Sequence, residues 1–358
     1  MRLFIFEYFA SGAKKDPIDL KKAGFAMLDA VLKDFTQLSH IQISTMLDCS
    51  LGEHLVRAPY ADKLDIFWRE QGEKNTDEHL EECLEQCDAV LMIAPETNGT
   101  IAQFTARAED RGKMILGSSA QTLELVCNKE NILRFLESKG LPVPKSKVLR
   151  KPFSVHTKVT ILEHFSLPLV IKPVSGTGGE GVTLVKTEPQ LEHLLEEMAG
   201  KEDDSYLVQE FVCGQDVSVS CFVLDGKVLP LSLNRQIIQK EDELLFSGVT
   251  VPFIHPGQQA VFGVVSEACK RVQGLRGFVG VDLVLGASGP VIMEINSRIT
   301  SAYVALREVV PGNLAKDLWF LCREHCFPDP PEIKGTFTYL VNTQKERAEA
   351  CRESLAWI

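Results

Sequence analysis

The chain has 358 residues, 45% of them hydrophobic and 24% charged, which is enough for two or three soluble domains with a large core. Its formal net charge of −11 excludes nucleic acid as the main partner, because a phosphate backbone needs a dense cationic face and no stretch here supplies one. No apolar run reaches the length of a membrane span.

The start, Met1 to Ala13, faintly imitates a signal peptide, but Glu7 interrupts its apolar run and a first β-strand over Leu3–Phe9 is expected instead. Strand and helix then alternate. A helix is predicted over Asp19–Lys33 and strands at His40–Leu47 and Leu64–Trp68. An acidic helix near Thr76–Gln86 precedes a strand at Ala89–Ala94, a helix over Thr100–Arg111 and a strand at Met114–Gly117. Such alternation defines an α/β domain with a parallel sheet, whose ligands bind beyond the carboxyl ends of the strands. Three of those ends are polar or small: Glu7 to Gly12, Pro95 to Gly99, and Gly117 to Ser119. A GxGxxG fingerprint is absent after the first strand, so nicotinamide binding has no support.

A helix over Asn128–Lys139 stops at Gly140 with Pro142 and Pro144 beyond, which reads as a domain boundary. An α+β region follows, with strands predicted at Leu167–Val174, Gly181–Thr187, Ser205–Phe211, Val217–Leu224 and Lys227–Leu233, and helices at Pro189–Met198 and Gln259–Gln273. Beyond them the pattern predicts a helix over Leu314–Cys326, a strand over Thr336–Asn342 and a helical end from Gln344. The ten cysteines form no CxxC pair and read as reduced core thiols, which points to the cytoplasm. Cys322, His325 and Cys326 make at most half a zinc site.

Two stretches carry chemistry. Ser175-Gly176-Thr177-Gly178-Gly179-Glu180-Gly181 lies between two predicted strands, and glycines without Cβ atoms let backbone N–H groups approach an anion closely. Lys172 just before it adds a cation. Downstream, Val281–Val284 and Val291–Arg298 read as a hairpin closed by Gly286-Ala287-Ser288-Gly289. Period-2 alternation sends Ile292, Glu294, Asn296 and Arg298 to one face, and the hairpin brings Asp282 opposite. Two acids and an amide oxygen inside an apolar sheet call for a hard divalent cation. Mg²⁺ fits, with Mn²⁺ as the alternate, because it takes few protein oxygens and completes its octahedron with phosphate and water.

In order and approximate spacing, Lys129, Ile171-Lys172-Pro173 with the glycine loop, Val208 to Val212 with Gly214-Gln215-Asp216, Asp282, and Glu294-Ile295-Asn296 resemble the ATP-grasp superfamily of carboxylate–amine ligases. The resemblance covers about Asn128 to Arg307, and the N-terminal part looks like the Rossmann-like pre-ATP-grasp domain of the same proteins. It implies a pre-ATP-grasp domain over 1–125, a small subdomain with a glycine-rich lid over 126–204, a large subdomain with the metal site over 205–330, and a C-terminal extension over 331–358.

The resemblance also assigns roles, position by position. Lys129 and Lys172 meet the nucleotide's phosphates, together with the lid residues Ser175, Gly176, Gly178, Gly179 and Gly181. The backbone of Glu210, Phe211 and Val212 reads the adenine edge, Asp216 takes the ribose hydroxyls, and Asp282, Glu294 and Asn296 bind the metal. Some amino-acid ligases of the superfamily carry an arginine where this chain has Gly280, so Arg235 and Arg298 are predicted to approach the phosphoryl group instead, a task that suits a planar guanidinium. Glu7 to Gly12 and Glu294 to Tyr303 resemble the tyramine–glutamate ligase branch, which serves methanofuran biosynthesis. That likeness implies glutamate as the activated acid and tyramine, tyrosine or another amine as acceptor, with Thr300 and Tyr303 shaping the substrate pocket. Dipeptide ligases, purine-pathway or carboxylase-type enzymes and a non-catalytic nucleotide-binding module remain the alternatives. The partners implied are small molecules, without nucleic acid or membrane, and a homodimer is the assembly to test.

Overall fold

The computed structural model describes residues 1–13, 18–70, 76–154, 156–174, 181–201, 205–240 and 243–341. The predicted lid from Ser175 to Glu180, with Gly176, Gly178 and Gly179, and the predicted C-terminal helix lie outside those residues.

Five parallel strands, β1 (Arg2–Glu7), β2 (Gln42–Asp48), β3 (Leu64–Arg69), β4 (Ala89–Ile93) and β5 (Met114–Ile115), form the N-terminal sheet in the order β3-β2-β1-β4-β5. All five residues of β4 are apolar and buried, as a strand covered on both faces requires. Helix Lys129–Ser138 begins at Asn128, whose side chain accepts from the Asn131 amide at 3.0 Å. It ends in a paired turn in which Gly140 donates to the Glu137 carbonyl and Leu141 to that of Leu136. This geometry needs the left-handed φ of +73° that Gly140 adopts, so the predicted stop is a glycine cap.

A small antiparallel sheet, β6 (Ser146–Arg150), β7 (Leu169–Pro173), β8 (Thr183–Val185) and β9 (Ser205–Glu210), runs in the order β6-β9-β7-β8. Helix Glu188–Ala199 packs against it, started by Thr187 and Gln190 capping each other's backbone. The large sheet comprises β10 (Gly214–Leu224), β11 (Lys227–Lys240), β12 (Leu244–Val251), β13 (Gly277–Gly286), β14 (Gly289–Asn296) and β15 (Phe337–Leu340), ordered β14-β13-β10-β11-β12-β15. β15 is the strand predicted within the C-terminal extension. It pairs with β12 at the edge of that sheet, Thr338 opposite Thr250.

Two cores join the N-terminal and large sheets. On one face Leu3, Ile5 and the helix Ile18–Phe35 pack with helices Ser301–Val309 and Leu314–Glu324; on the other, Phe4 and Phe6 share a cluster with Val219, Val281 and Ile295. Buried Asp34 pins this junction, accepting from the Tyr303 hydroxyl at 2.8 Å and from Arg307 Nη2 at 2.7 Å. The small sheet keeps a core of its own around Ile171, Leu191 and Val208. Two bodies therefore face each other across one cleft.

Among the described residues no helix is long and apolar enough to cross a membrane. Among the described residues six cysteines are buried, and burial pushes the Cys83 thiol up to about 12 and that of Cys87 up to about 11, whereas Cys49, Cys213 and Cys326 are exposed and are not the core thiols predicted. Cys322 is buried while His325 is exposed and turned to Asp225, so the half zinc site does not assemble.

Candidate active site

Antiparallel register sets Asp282 on β13 directly opposite Glu294 on β14, and Gly280 opposite Asn296. The ladder slips between Asp282 and Leu283, leaving Met293 as an extra residue. That bulge overturns plain alternation: Ile292, predicted beside Glu294, is fully buried in the core, whereas Met293, Glu294 and Asn296 line the cleft. Asp282 accepts from Gln236 Nε2 at 3.0 Å and from Asn296 Nδ2 at 3.1 Å, which leaves the Asn296 carbonyl as a third oxygen donor. Its carboxyl is pushed up to about 7, first by burial and then by Glu294 opposite, with Arg298 pulling the other way. Among the described residues no three His, Cys, Asp or Glu side chains gather as a metal cluster. The donor set is thus two facing carboxylates and an amide, which fits a hard cation that keeps water and phosphate ligands.

Two cations stand over this corner. Lys129, at the first position of its helix, places Nζ 3.5 Å from Glu294 Oε1, and Lys172 on β7 is buried across the cleft. Burial draws the Lys172 ammonium down to about 8 against the pull of Glu294, and the like charge of Lys129 adds to the lowering.

The cleft has a volume of about 290 Å³, with Val170 and Lys172 of β7 and Val182 just before β8 on one side and the large sheet on the other. Glu210, Phe211 and Val212 cross between the two bodies at its edge. The Glu210 carboxylate accepts from the Lys145 amide at 2.8 Å, and the Glu210 amide donates to the Lys145 carbonyl at 3.0 Å. Asp216 at the start of β10 lies 2.6 Å from Lys240 Nζ, which also sits 5.8 Å above the Phe211 ring.

The two arginines part company. Arg298 lines the cleft and donates Nε to Glu96 Oε1 at 2.6 Å and Nη2 to Glu96 Oε2 at 2.9 Å. Arg235, predicted to approach the phosphoryl group, is exposed and lies outside the cleft lining. The pleat gives the reason: Arg235 shares its face with core residue Leu233, and it is Gln236 that points to Asp282.

Gly280, where an arginine was missing, is filled by its surroundings. A Cβ there would meet Thr300 Cγ2 at 2.8 Å, so no side chain fits beside Thr300. Gly280→Ala should cost about 2 kcal/mol of stability by overpacking, and adding Thr300→Ser should return most of it. Chemical denaturation of the two variants checks this; an unshifted midpoint for Gly280→Ala would contradict the close contact.

Other predicted positions lie elsewhere. Tyr303 is fully buried against Asp34 and does not shape the pocket, whereas Thr300 and Ser301 do line it. Gly181, the first described residue after the predicted lid segment, has φ +70°. The end at Glu7 is spent on its own loop, the carboxylate accepting from the Ala10 amide at 2.6 Å, and the end at Ser118 is tied to Ser297 at 2.7 Å. Glu96, Gln236, Lys240 and Met293 also line or border the site, and no local motif marks them. Glu96 belongs to the polar strand end Pro95 to Gly99, and Gln236 follows Arg235.

A model of the ATP-grasp domain matches residues 126–302, and a model of the pre ATP-grasp 3 domain matches 41–123. The chain belongs to the ATP-grasp family, and its architecture is a pre-ATP-grasp domain followed by an ATP-grasp domain. Among its relatives, the tyramine–L-glutamate ligase of Methanocaldococcus jannaschii is 26% identical over 306 residues, 85% of this chain and 84% of that protein. A Vibrio vulnificus relative assigned to the α-L-glutamate ligases is 30% identical over 212 residues, 58% of this chain and 67% of its own. The crystal structure of an ATP-grasp superfamily protein from Archaeoglobus fulgidus superposes with a TM-score of 0.70 at 22% identity, over 94% of this chain and 91% of that one. An L-amino acid ligase from Bacillus licheniformis does so with 0.64 at 16% identity, over 90% and 73%.

Proposed function

We propose that this chain is an ATP-dependent, ADP-forming carboxylate–amine ligase that activates glutamate and joins it to tyramine, tyrosine or a similar amine. The observation that carries this reading is the convergence of Asp282, Glu294, Asn296 and Lys172 in a single cleft, with the ammonium of Lys129 3.5 Å from Glu294. The names of the relatives, tyramine–L-glutamate ligase above all, support the choice of substrates.

In this reading Asp282, Glu294 and the Asn296 carbonyl hold Mg²⁺, with Mn²⁺ as the alternate. When bound, the ion neutralises phosphate charge as it spreads during transfer. Glu210 to Val212 receive the adenine by their backbone, and Asp216 receives the ribose. Lys129 and Lys172 attract the phosphates and stabilise the γ-phosphoryl group as it moves. A carboxylate oxygen of the acid attacks the γ-phosphorus and the bond to the ADP oxygen breaks, giving an acyl phosphate. The amine nitrogen then attacks the acyl carbon, the bond to the phosphate oxygen breaks, and the nitrogen loses a proton. Phosphate leaves with one oxygen from the acid. In this reading Arg298, which lines the cleft with Thr300 and Ser301, binds the phosphoryl group while its bond to the acid oxygen forms.

ADP release measured over a panel of carboxylates and amines tests the proposal. Glutamate together with an aromatic amine should stimulate release well above either alone. Tight binding of MgATP with no stimulation by any pair would point to a nucleotide-binding module instead.

A further inference from the structure

We infer that Glu96, carried by the N-terminal domain, is a positioning residue for the reaction: it grips Arg298 along the Nε–Nη2 edge and aims the rest of the guanidinium at the transferring phosphoryl group. The inference deepens the ligase reading and rests on it.

A guanidinium has five N–H donors. Nε and one N–H of Nη2 go to Glu96 at 2.6 and 2.9 Å, and one N–H of Nη1 goes to the Ile299 carbonyl at 3.2 Å. Two donors remain, one on each terminal nitrogen, which is a fork matched to two oxygens of one phosphoryl or acyl-phosphate group. Arg298 lines the cleft within four residues of Glu294, so the fork opens beside the metal corner. Glu96 is 4% exposed and stays ionised: burial would raise its carboxyl, but Arg298 draws it below its ordinary value.

A purely structural link explains these facts poorly. A buried ion pair is weak evidence for stability, since well-packed apolar residues serve as well or better. The two domains are also joined independently of this pair, by Asp34 with Arg307 and by Ser118 with Ser297. What a two-point grip adds is direction, because each carboxylate oxygen fixes one nitrogen and the plane cannot turn. Orientation is also what a transfer step needs, where a displacement of about 1 Å costs on the order of 10²-fold in rate.

The test compares Glu96→Gln, Glu96→Asp, Arg298→Lys and the double variant Glu96→Gln/Arg298→Lys with the parent, using two readouts. The first is kcat and KM for ADP release with glutamate and amine. The second needs no turnover: the ratio of affinities for the β,γ-imido analogue of ATP and for ADP, both with Mg²⁺, by calorimetry. Glu96→Gln should lower kcat about 30- to 100-fold with KM for ATP changed little, and should lower the affinity ratio. Glu96→Asp should recover part of both. The double variant should be no worse than Arg298→Lys alone, since Glu96 acts through Arg298. Multiplying losses in the double variant, or an unchanged kcat and affinity ratio with only a lowered melting temperature, would overturn the inference. A parent enzyme without substrate-stimulated ADP release would sink the ligase reading, and the affinity ratios would then decide for or against the grip by the same non-additivity.

Discussion

Glu294→Gln should leave substrate-stimulated ADP release about 10³-fold below the parent while the protein remains folded. The substitution keeps the shape of the side chain and removes one of the two carboxylates that face each other in the cleft. An amide oxygen is a weaker ligand for a hard cation than a carboxylate, so the loss falls on metal binding and on the transferring phosphate together. The ion pair with Lys129 at 3.5 Å also goes, but so does the repulsion that helps hold the Asp282 carboxyl up at about 7. The sign of the stability effect follows. An acid whose folded value lies above its unfolded one costs stability as pH rises from about 4 to about 7, and the full cost is present above that window. Relief of the repulsion therefore favours the variant more at pH 8 than at pH 5. Thermal melts of the metal-free proteins at the two pH values check this, and near-parent turnover would contradict the metal assignment.

Lys172→Met should weaken MgATP binding and lower turnover by about 10²-fold, and it should also remove a pH dependence that the parent shows. In the free protein burial holds this ammonium at about 8, so the cleft offers its charge to phosphates below that pH and withholds it above. Binding of a polyanion above pH 8 must first recover the proton. Parent affinity should then fall with pH above 8, by at most tenfold per unit, with proton uptake visible as a buffer-dependent heat in calorimetry. The affinity of the variant should be lower and flat over the same range. A parent profile that stays flat through pH 9 would place the lysine away from the phosphates.

The N-terminal sheet was legible in the sequence because its buried parallel strands are contiguous apolar runs such as Ala89 to Ile93, punctuated by polar caps. The acidic hairpin was legible because strong β-formers flank a glycine turn. What stayed hidden depends on backbone irregularity or on distance along the chain. The bulge at Met293 moves Ile292 into the core, and nothing local announces it. The choice between Arg235 and Gln236 is a matter of which way one strand faces, and β11 was predicted only to Leu233, short of both. β12 and the helix Ser301–Val309 were not predicted, although their residues Leu244, Phe246, Ser301 and Ala302 line the cleft. Glu96 and Arg298 lie 202 residues apart, and only the packed sheets bring them together.

Transfer of isotope from the acid to phosphate is the most direct measurement of the chemistry assigned to this cleft. With glutamate labelled in its carboxyl oxygens by ¹⁸O, MgATP and the amine that most stimulates ADP release, each phosphate formed should carry one labelled oxygen from the acid. Turnover that yields amide and unlabelled phosphate would contradict an acyl-phosphate route, and with it the part given to Arg298 and the lysines.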